Sequence, residues 1–315
     1  MVLEPATQEF IDALAVRAGP AIETLGPADA RALLAGVQAA PVGKPGAGIE
    51  DRVFPVGPTG AVRVHIVRPR AAEEPPPVVM YFHGGGWVLG DHHTHERLVR
   101  EIAVGAHATV VFVEYDRAPE ARYPIALEQA YAATHYVAEH GARLLGIDAA
   151  RLAVAGDGAG GNLAAGVTLL AKQRRGPRIA FQLLFYPVTD AGFDTASYRE
   201  FADGPWLTRA AMQSFWDAYL PDAAARTQIT AAPLHASLDD LRCLPDALVV
   251  VGENDVLRDE GEAYARKLSR AGTRVTCVRY LGTIHDFVVL NTLADTSAAR
   301  AAIAQATCAL RTALE

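Results

Sequence analysis

The stretch that most constrains the fold is residues 152–164, Leu-Ala-Val-Ala-Gly-Asp-Gly-Ala-Gly-Gly-Asn-Leu-Ala. Its first four residues are apolar and read as a short buried strand. Gly156 to Gly160 holds three glycines in five residues and reads as a sharp turn. From Asn162 to Lys172 the chain is Leu/Ala-rich and reads as a helix. A buried strand that turns at once into a helix is one half of a parallel crossover, and such units exist only in a sheet covered on both faces. The rest of the chain agrees. Apolar runs at 78–82, 109–115, 179–186 and 247–252 are too uniformly hydrophobic for surface strands, and helical patterns at 124–139, 260–271 and 297–314 alternate with them. A further strand is expected at 275–280. The implied fold class is α/β, a doubly wound and mostly parallel sheet flanked by helices.

Outside this alternation lie three other pieces. Residues 5–17 and 27–38 have helical spacing, with Phe10, Ile11, Leu14 and Leu33, Leu34, Val37 on apolar faces, and 41–48 reads as a linker. Residues 52–56 and 61–67 flank Gly57-Pro-Thr-Gly60 as a hairpin. Between Thr189 and Leu244 the alternation stops, and Trp206, Met212, Phe215, Trp216 and Tyr219 recur at roughly helical spacing. The expected organisation is N-terminal cap helices over 1–45, an α/β domain over 46–188 and 245–315, and an inserted cap segment over 189–244.

With 36 acidic against 29 basic residues and no Lys/Arg-rich block, the chain carries a net charge of −7, which argues against a nucleic-acid or anionic-membrane partner. No apolar run reaches the ~20 residues of a membrane span. The first residues resemble no signal peptide, and Cys243, Cys277 and Cys308 form no CxxC pair; they are expected to be reduced and mostly buried in a cytoplasmic protein. His92, His93 and His95 have metal-like spacing, but no matching carboxylate motif accompanies them; the expectation is a solvated turn and no metal.

Two local patterns carry chemistry. Strand, tight turn and helix are the setting of the nucleophile elbow, Gly-x-Ser-x-Gly, and here Gly158 occupies the serine position. The second pattern is His83-Gly84-Gly85-Gly86-Trp87 after the strand 78–82. Consecutive glycines let backbone N–H groups approach a developing oxyanion. Asp255 follows strand 247–252 and His285 follows strand 275–280, so both sit at strand C-termini, where open α/β sheets place their sites. The order elbow, Asp, His is that of α/β hydrolases.

Four motifs together, His83–Trp87, Gly156–Ala164, Glu253–Gly261 and Gly282–Phe287, resemble the hormone-sensitive-lipase-like carboxylesterases of the α/β-hydrolase superfamily. Tyr115-Asp-Arg-Ala-Pro-Glu120 and Tyr186–Asp190 fit the same pattern. The resemblance implies a Ser-His-Asp ester hydrolase for short- to medium-chain acyl esters that needs no cofactor, with a small-molecule ester substrate and a possible homodimer. It implies His285 as general base, Asp255 as its orienting partner, and Gly84, Gly85, Gly86 and Ala159 as the oxyanion hole. Trp87, Asp157, Trp206 and Phe215 are the expected substrate-binding residues. The chain departs from the pattern at Asp286, where glycine is commoner, and at Asp116 and Arg117.

Gly158 is the largest departure. None of the five serines (197, 214, 237, 269 and 297) lies in an elbow, and acyl-enzyme chemistry needs an oxygen or sulfur nucleophile. The reading is an esterase with its nucleophile replaced, binding substrate with little turnover. Two alternatives stand beside it: a non-catalytic small-molecule binder, as plant gibberellin receptors are on this fold, and a different reaction run by His285 and Asp255.

Overall fold

The computed structural model describes residues 1–17, 19–70 and 75–315. Helices α1 (Pro5–Arg17) and α2 (Pro27–Val37) come first, followed by the antiparallel strands β1 (Ala47–Phe54) and β2 (Val62–Pro69). The regular alternation then begins: β3 (Pro77–Phe82), α3 (His92–Ala106), β4 (Thr109–Glu114), α4 (Ile125–Leu145), β5 (Asp148–Asp157), α5 (Ala159–Gln173) and β6 (Phe181–Phe185). Helices α6 (Ala196–Glu200), α7 (Arg209–Tyr219) and α8 (Leu238–Leu241) interrupt it, and β7 (Asp246–Asn254), α9 (Arg258–Arg270), β8 (Val275–Ile284) and α10 (Ser297–Leu314) complete it.

The strands form one sheet in the order β1-β2-β4-β3-β5-β6-β7-β8, parallel from β4 to β8. β3, β4 and β6 are buried along nearly their whole length and β5 from Leu152 to Asp157 between two helical layers, which is why these stretches read as unbroken apolar runs. α3 and α10 cover one face and α4, α5 and α9 the other, giving two cores. Chain direction across the sheet reverses between β3 and β5, which are neighbours. A crevice opens outside the C-terminal ends of strands at such a point, and the glycine loop after β3 and the turn after β5 both lead into it.

Three expectations are corrected. The turn expected at His92–His95 is the first turn of α3, capped by the Asp91 carboxylate on the Thr94 amide at 2.9 Å. Its polar start, His-His-Thr-His-Glu-Arg, masks the apolar face formed by Leu98, Val99, Ile102 and Ala106. All three cysteines are exposed, because Cys277 lies on the edge strand β8 and Cys243 and Cys308 face outward. β1 begins at Ala47, inside the stretch expected to be linker, since an edge strand left mostly exposed between Ala47 and Phe54 tolerates the glycine at 48. Among the described residues no helix is long and apolar enough to cross a membrane.

Candidate active site

β5 ends at Asp157, and α5 starts at Ala159, leaving Gly158 alone to reverse the chain with φ +50° and ψ −115°. The turn is pinned from three sides. The Gly158 amide donates to Phe185 O (3.0 Å), and its carbonyl accepts from Val188 (3.1 Å) and Asn162 (3.1 Å). The Asn162 side chain ties the same helix start to Val188 O and Ala231 O. A Cβ placed on Gly158 would stand 3.4 Å from His285 Nε2, with no closer heavy atom. The space above the elbow is therefore open and faces the imidazole.

His285 follows β8 and is buried. Its Nδ1 is bonded to Asp255 Oδ2 at 2.8 Å, while Asp255 Oδ1 accepts the Leu257 amide at 2.9 Å. Asp286 approaches from the other side, with Oδ1 3.4 Å from Nε2 and Oδ2 accepting from Trp206 Nε1 at 2.8 Å. Burial works against a charged imidazole. The Asp255 carboxylate, and then Asp286, outweigh that penalty and push the His285 pKa up to about 9. Burial raises the Asp286 carboxyl, and the His285 charge opposes that rise.

The loop Gly84–Gly90 crosses over the elbow. The amides of Gly85 and Gly86 make no hydrogen bond among the described residues, and the amide of Ala159, first residue of α5, has no partner within its helix. All three residues line a cavity of about 230 Å³, with Gly158, His285, Asp286, Trp206 and Phe215. Apolar side chains, among them Leu34, Leu89, Val188, Leu207, Met212 and Leu257, complete it, and no serine lines it. Gly84 stands outside the lining, pressed against Asp157; a Cβ there would fall 2.1 Å from Asp157 Oδ2. Phe215 of α7 closes one side of the cavity, and a Cβ on Gly86 would lie 2.3 Å from its ring.

Of the expected substrate-binding residues, Trp206 and Phe215 border the cavity. Trp87 does not: it is fully buried, stacked on Tyr219 at 4.1 Å and edge-on to Trp216 at 4.8 Å. It joins the glycine loop to α7 because an indole of that size finds its partners in the cap core. Asp157 edges the cavity, but its oxygens are engaged by Tyr81 Oη (2.6 Å) and His95 Nε2 (3.3 Å). Burial would raise its carboxyl; His95 and the Tyr81 hydroxyl hold it low instead. His95 is thus a buried partner of the elbow and no solvated residue. His83 is also fully buried, its pKa lowered to about 4 by desolvation, so its ring stays neutral, stacked on Tyr115.

Some supporting residues gave no motif. Arg31 of α2 reaches Val88 O (2.8 Å) and Ala118 O (3.0 Å) and forms a two-pronged pair with Glu120. Arg117 bonds Gly90 O and so braces the glycine loop, while Asp116 pairs with Gln129 of α4. Buried Glu260 accepts the amides of Thr189 and Asp190.

The family model of the alpha/beta hydrolase fold matches residues 79–289. A thermostable esterase from Pseudomonas putida ECU1011 is 51% identical, with TM-score 0.97 over 100% of this chain and 98% of that one. A serine-to-alanine variant of the related esterase rPPE, crystallised with (S)-Ac-CPA, gives the same identity and TM-score over 99% and 98%. Carboxylesterase NlhH of Mycobacterium tuberculosis is 38% identical over 263 residues, 82% of this chain and 81% of that protein. The chain belongs to the α/β-hydrolase family, within its hormone-sensitive-lipase-like carboxylesterases.

Proposed function

We propose that this chain carries the machinery for hydrolysing short- to medium-chain carboxylic esters, complete except for the nucleophile. In that reading it binds esters and turns them over slowly. The carrying observation is Gly158: an elbow backbone whose missing side chain would point at His285 Nε2 from 3.4 Å.

With a hydroxyl at 158, the steps follow from the site. The oxygen attacks the ester carbonyl while His285 takes its proton. The carbonyl oxygen, now negative, receives hydrogen bonds from the amides of Gly85, Gly86 and Ala159. Asp255 holds the imidazole tautomer and stabilises the imidazolium. His285 returns the proton to the departing alcohol, and water then releases the acid by the same route. Without the hydroxyl, the oxyanion donors and substrate positioning remain; in a serine protease lacking its triad these leave roughly 10³–10⁴-fold catalysis over water. The cavity of about 230 Å³ and its apolar wall support small acyl groups.

One observation favours a second reading, a small-molecule binder. His285 lies between two carboxylates, with a pKa of about 9, and an imidazolium at neutral pH is a poor base. A paired assay separates the two. The chain and Gly158→Ser are compared on p-nitrophenyl acetate, butyrate and octanoate. The esterase reading expects at least a 10³-fold gain in kcat for the serine variant, greatest on the shorter esters. Equal, negligible rates for both proteins, with retained ester binding, would sink it in favour of the binder.

A further inference from the structure

A second cluster of chemistry-bearing side chains lies away from the cavity, where β2, β4 and the start of α3 meet. His65 of β2 is 4% exposed. Its Nδ1 is 2.7 Å from Oδ1 of Asp51, its cross-strand neighbour on β1. A carboxylate there fixes Nδ1 as the N–H donor and leaves a lone pair on Nε2. That Nε2 is buried with no hydrogen-bond partner among the described residues, and Glu114 Oε1, at the end of β4, lies 3.5 Å away. A lone pair facing a carboxylate is repulsive unless a positive charge, either a proton on Nε2 or a metal ion, lies between them. His92, first residue of α3, brings its Nδ1 to 3.3 Å from the same oxygen. The three ligand atoms lie within 4.8 Å of one another.

The 3.5 Å between His65 Nε2 and Glu114 Oε1 matches the edge of a tetrahedron whose metal–ligand bonds are roughly 2.0–2.1 Å, which is about 3.4 Å. Two imidazoles and one carboxylate form the donor set of an open zinc-type site. We propose that His65, His92 and Glu114 bind one divalent transition-metal ion of the zinc class, with Asp51 orienting His65 from behind. The rings of His65 and His92 are stacked, with centroids 3.8 Å apart and planes 23° apart. A metal lies in the plane of each ring it binds, so His92 swings out of the stack on binding. Its side chain is 26% exposed and free to do so, whereas His65 is fixed. The bound ion ties β2, β4 and α3 together just beyond the glycine loop.

The test uses the full chain, stripped of metal with a chelator and titrated with Zn²⁺ by calorimetry. One ion per chain at micromolar affinity or tighter is expected, with a rise in melting temperature. His92→Asn and Glu114→Gln should each weaken binding at least 10-fold, and Asp51→Asn by 10- to 100-fold. His93→Ala is the control, since that exposed ring stacks on His92 but lies outside the ligand set. Because His92 is partly exposed, its variant should keep the apo melting temperature and so report on binding alone. Co²⁺ in place of Zn²⁺ should give tetrahedral d–d absorption that His92→Asn abolishes. Absence of stoichiometric Zn²⁺ binding in the intact chain, or His92→Asn and His93→Ala behaving alike, would overturn the assignment. None of these readouts depends on ester hydrolysis.

Discussion

At residue 158 the backbone has φ +50°, a region that costs a non-glycine residue on the order of 1–3 kcal/mol. Gly158→Ser should therefore fold normally and be no more stable than the present chain, by urea denaturation; a clear stabilisation would contradict an elbow here. His285 carries a second prediction at this scale. Its pKa of about 9 lies above the unfolded value of 6.5, so the folded state binds the proton more tightly. The resulting stability is present in full below pH 6.5 and is lost as pH rises through about 9. Asp286→Asn keeps an acceptor for Trp206 but removes a charge 3.4 Å from Nε2. It should lower the His285 titration midpoint seen by NMR; an unchanged midpoint would mean that Asp286 does not act on the imidazole. The positions of Gly158, Asp255 and His285 were legible because each follows a recognisable strand. The bond between Trp206 and Asp286 was not, because its partners are separated by the whole of β7, α9 and β8, and only packing of the cap brings them together.

Among the elements, the glycine loop after β3 links the sheet to the cap. Phe215 of α7 rests where a Gly86 side chain would be, and Trp87 packs against Tyr219 and Trp216 of the same helix. Gly86→Ala, made in the Gly158→Ser background, must displace both the Phe215 ring and a donor amide. A loss of 10²-fold or more in kcat is expected, in line with removal of one oxyanion donor; near-full activity would exclude the Gly86 amide from the site. Trp87→Ala empties a fully buried indole site and should cost about 3–5 kcal/mol, readable as a fall in melting temperature. Elements that bury one full face were the easiest to read from sequence. α3 was missed because its apolar residues begin only in the second turn, after histidines that in fact serve structure: His95 on Asp157, His92 on Glu114.

For the molecule as a whole, the alternation of apolar strands and helices from residue 77 onward specified the doubly wound sheet, whereas the strand order that sets the glycine loop and the elbow side by side at β3 and β5 came only with the structure. What the sequence could not specify was how the segments outside the sheet close over the cavity, since α2, α7 and the stretch before α7 reach it through side chains such as Leu34, Phe215 and Trp206 rather than through backbone pairing. The proposed function requires that the groups around residue 158 be arranged for a seryl oxygen. Intact-mass measurement after exposure to diethyl p-nitrophenyl phosphate tests that requirement directly. Gly158→Ser should gain one diethylphosphoryl group per chain, located at residue 158 by peptide mapping, while the present chain stays unmodified. Labelling of both proteins to the same extent, or of neither, would contradict it.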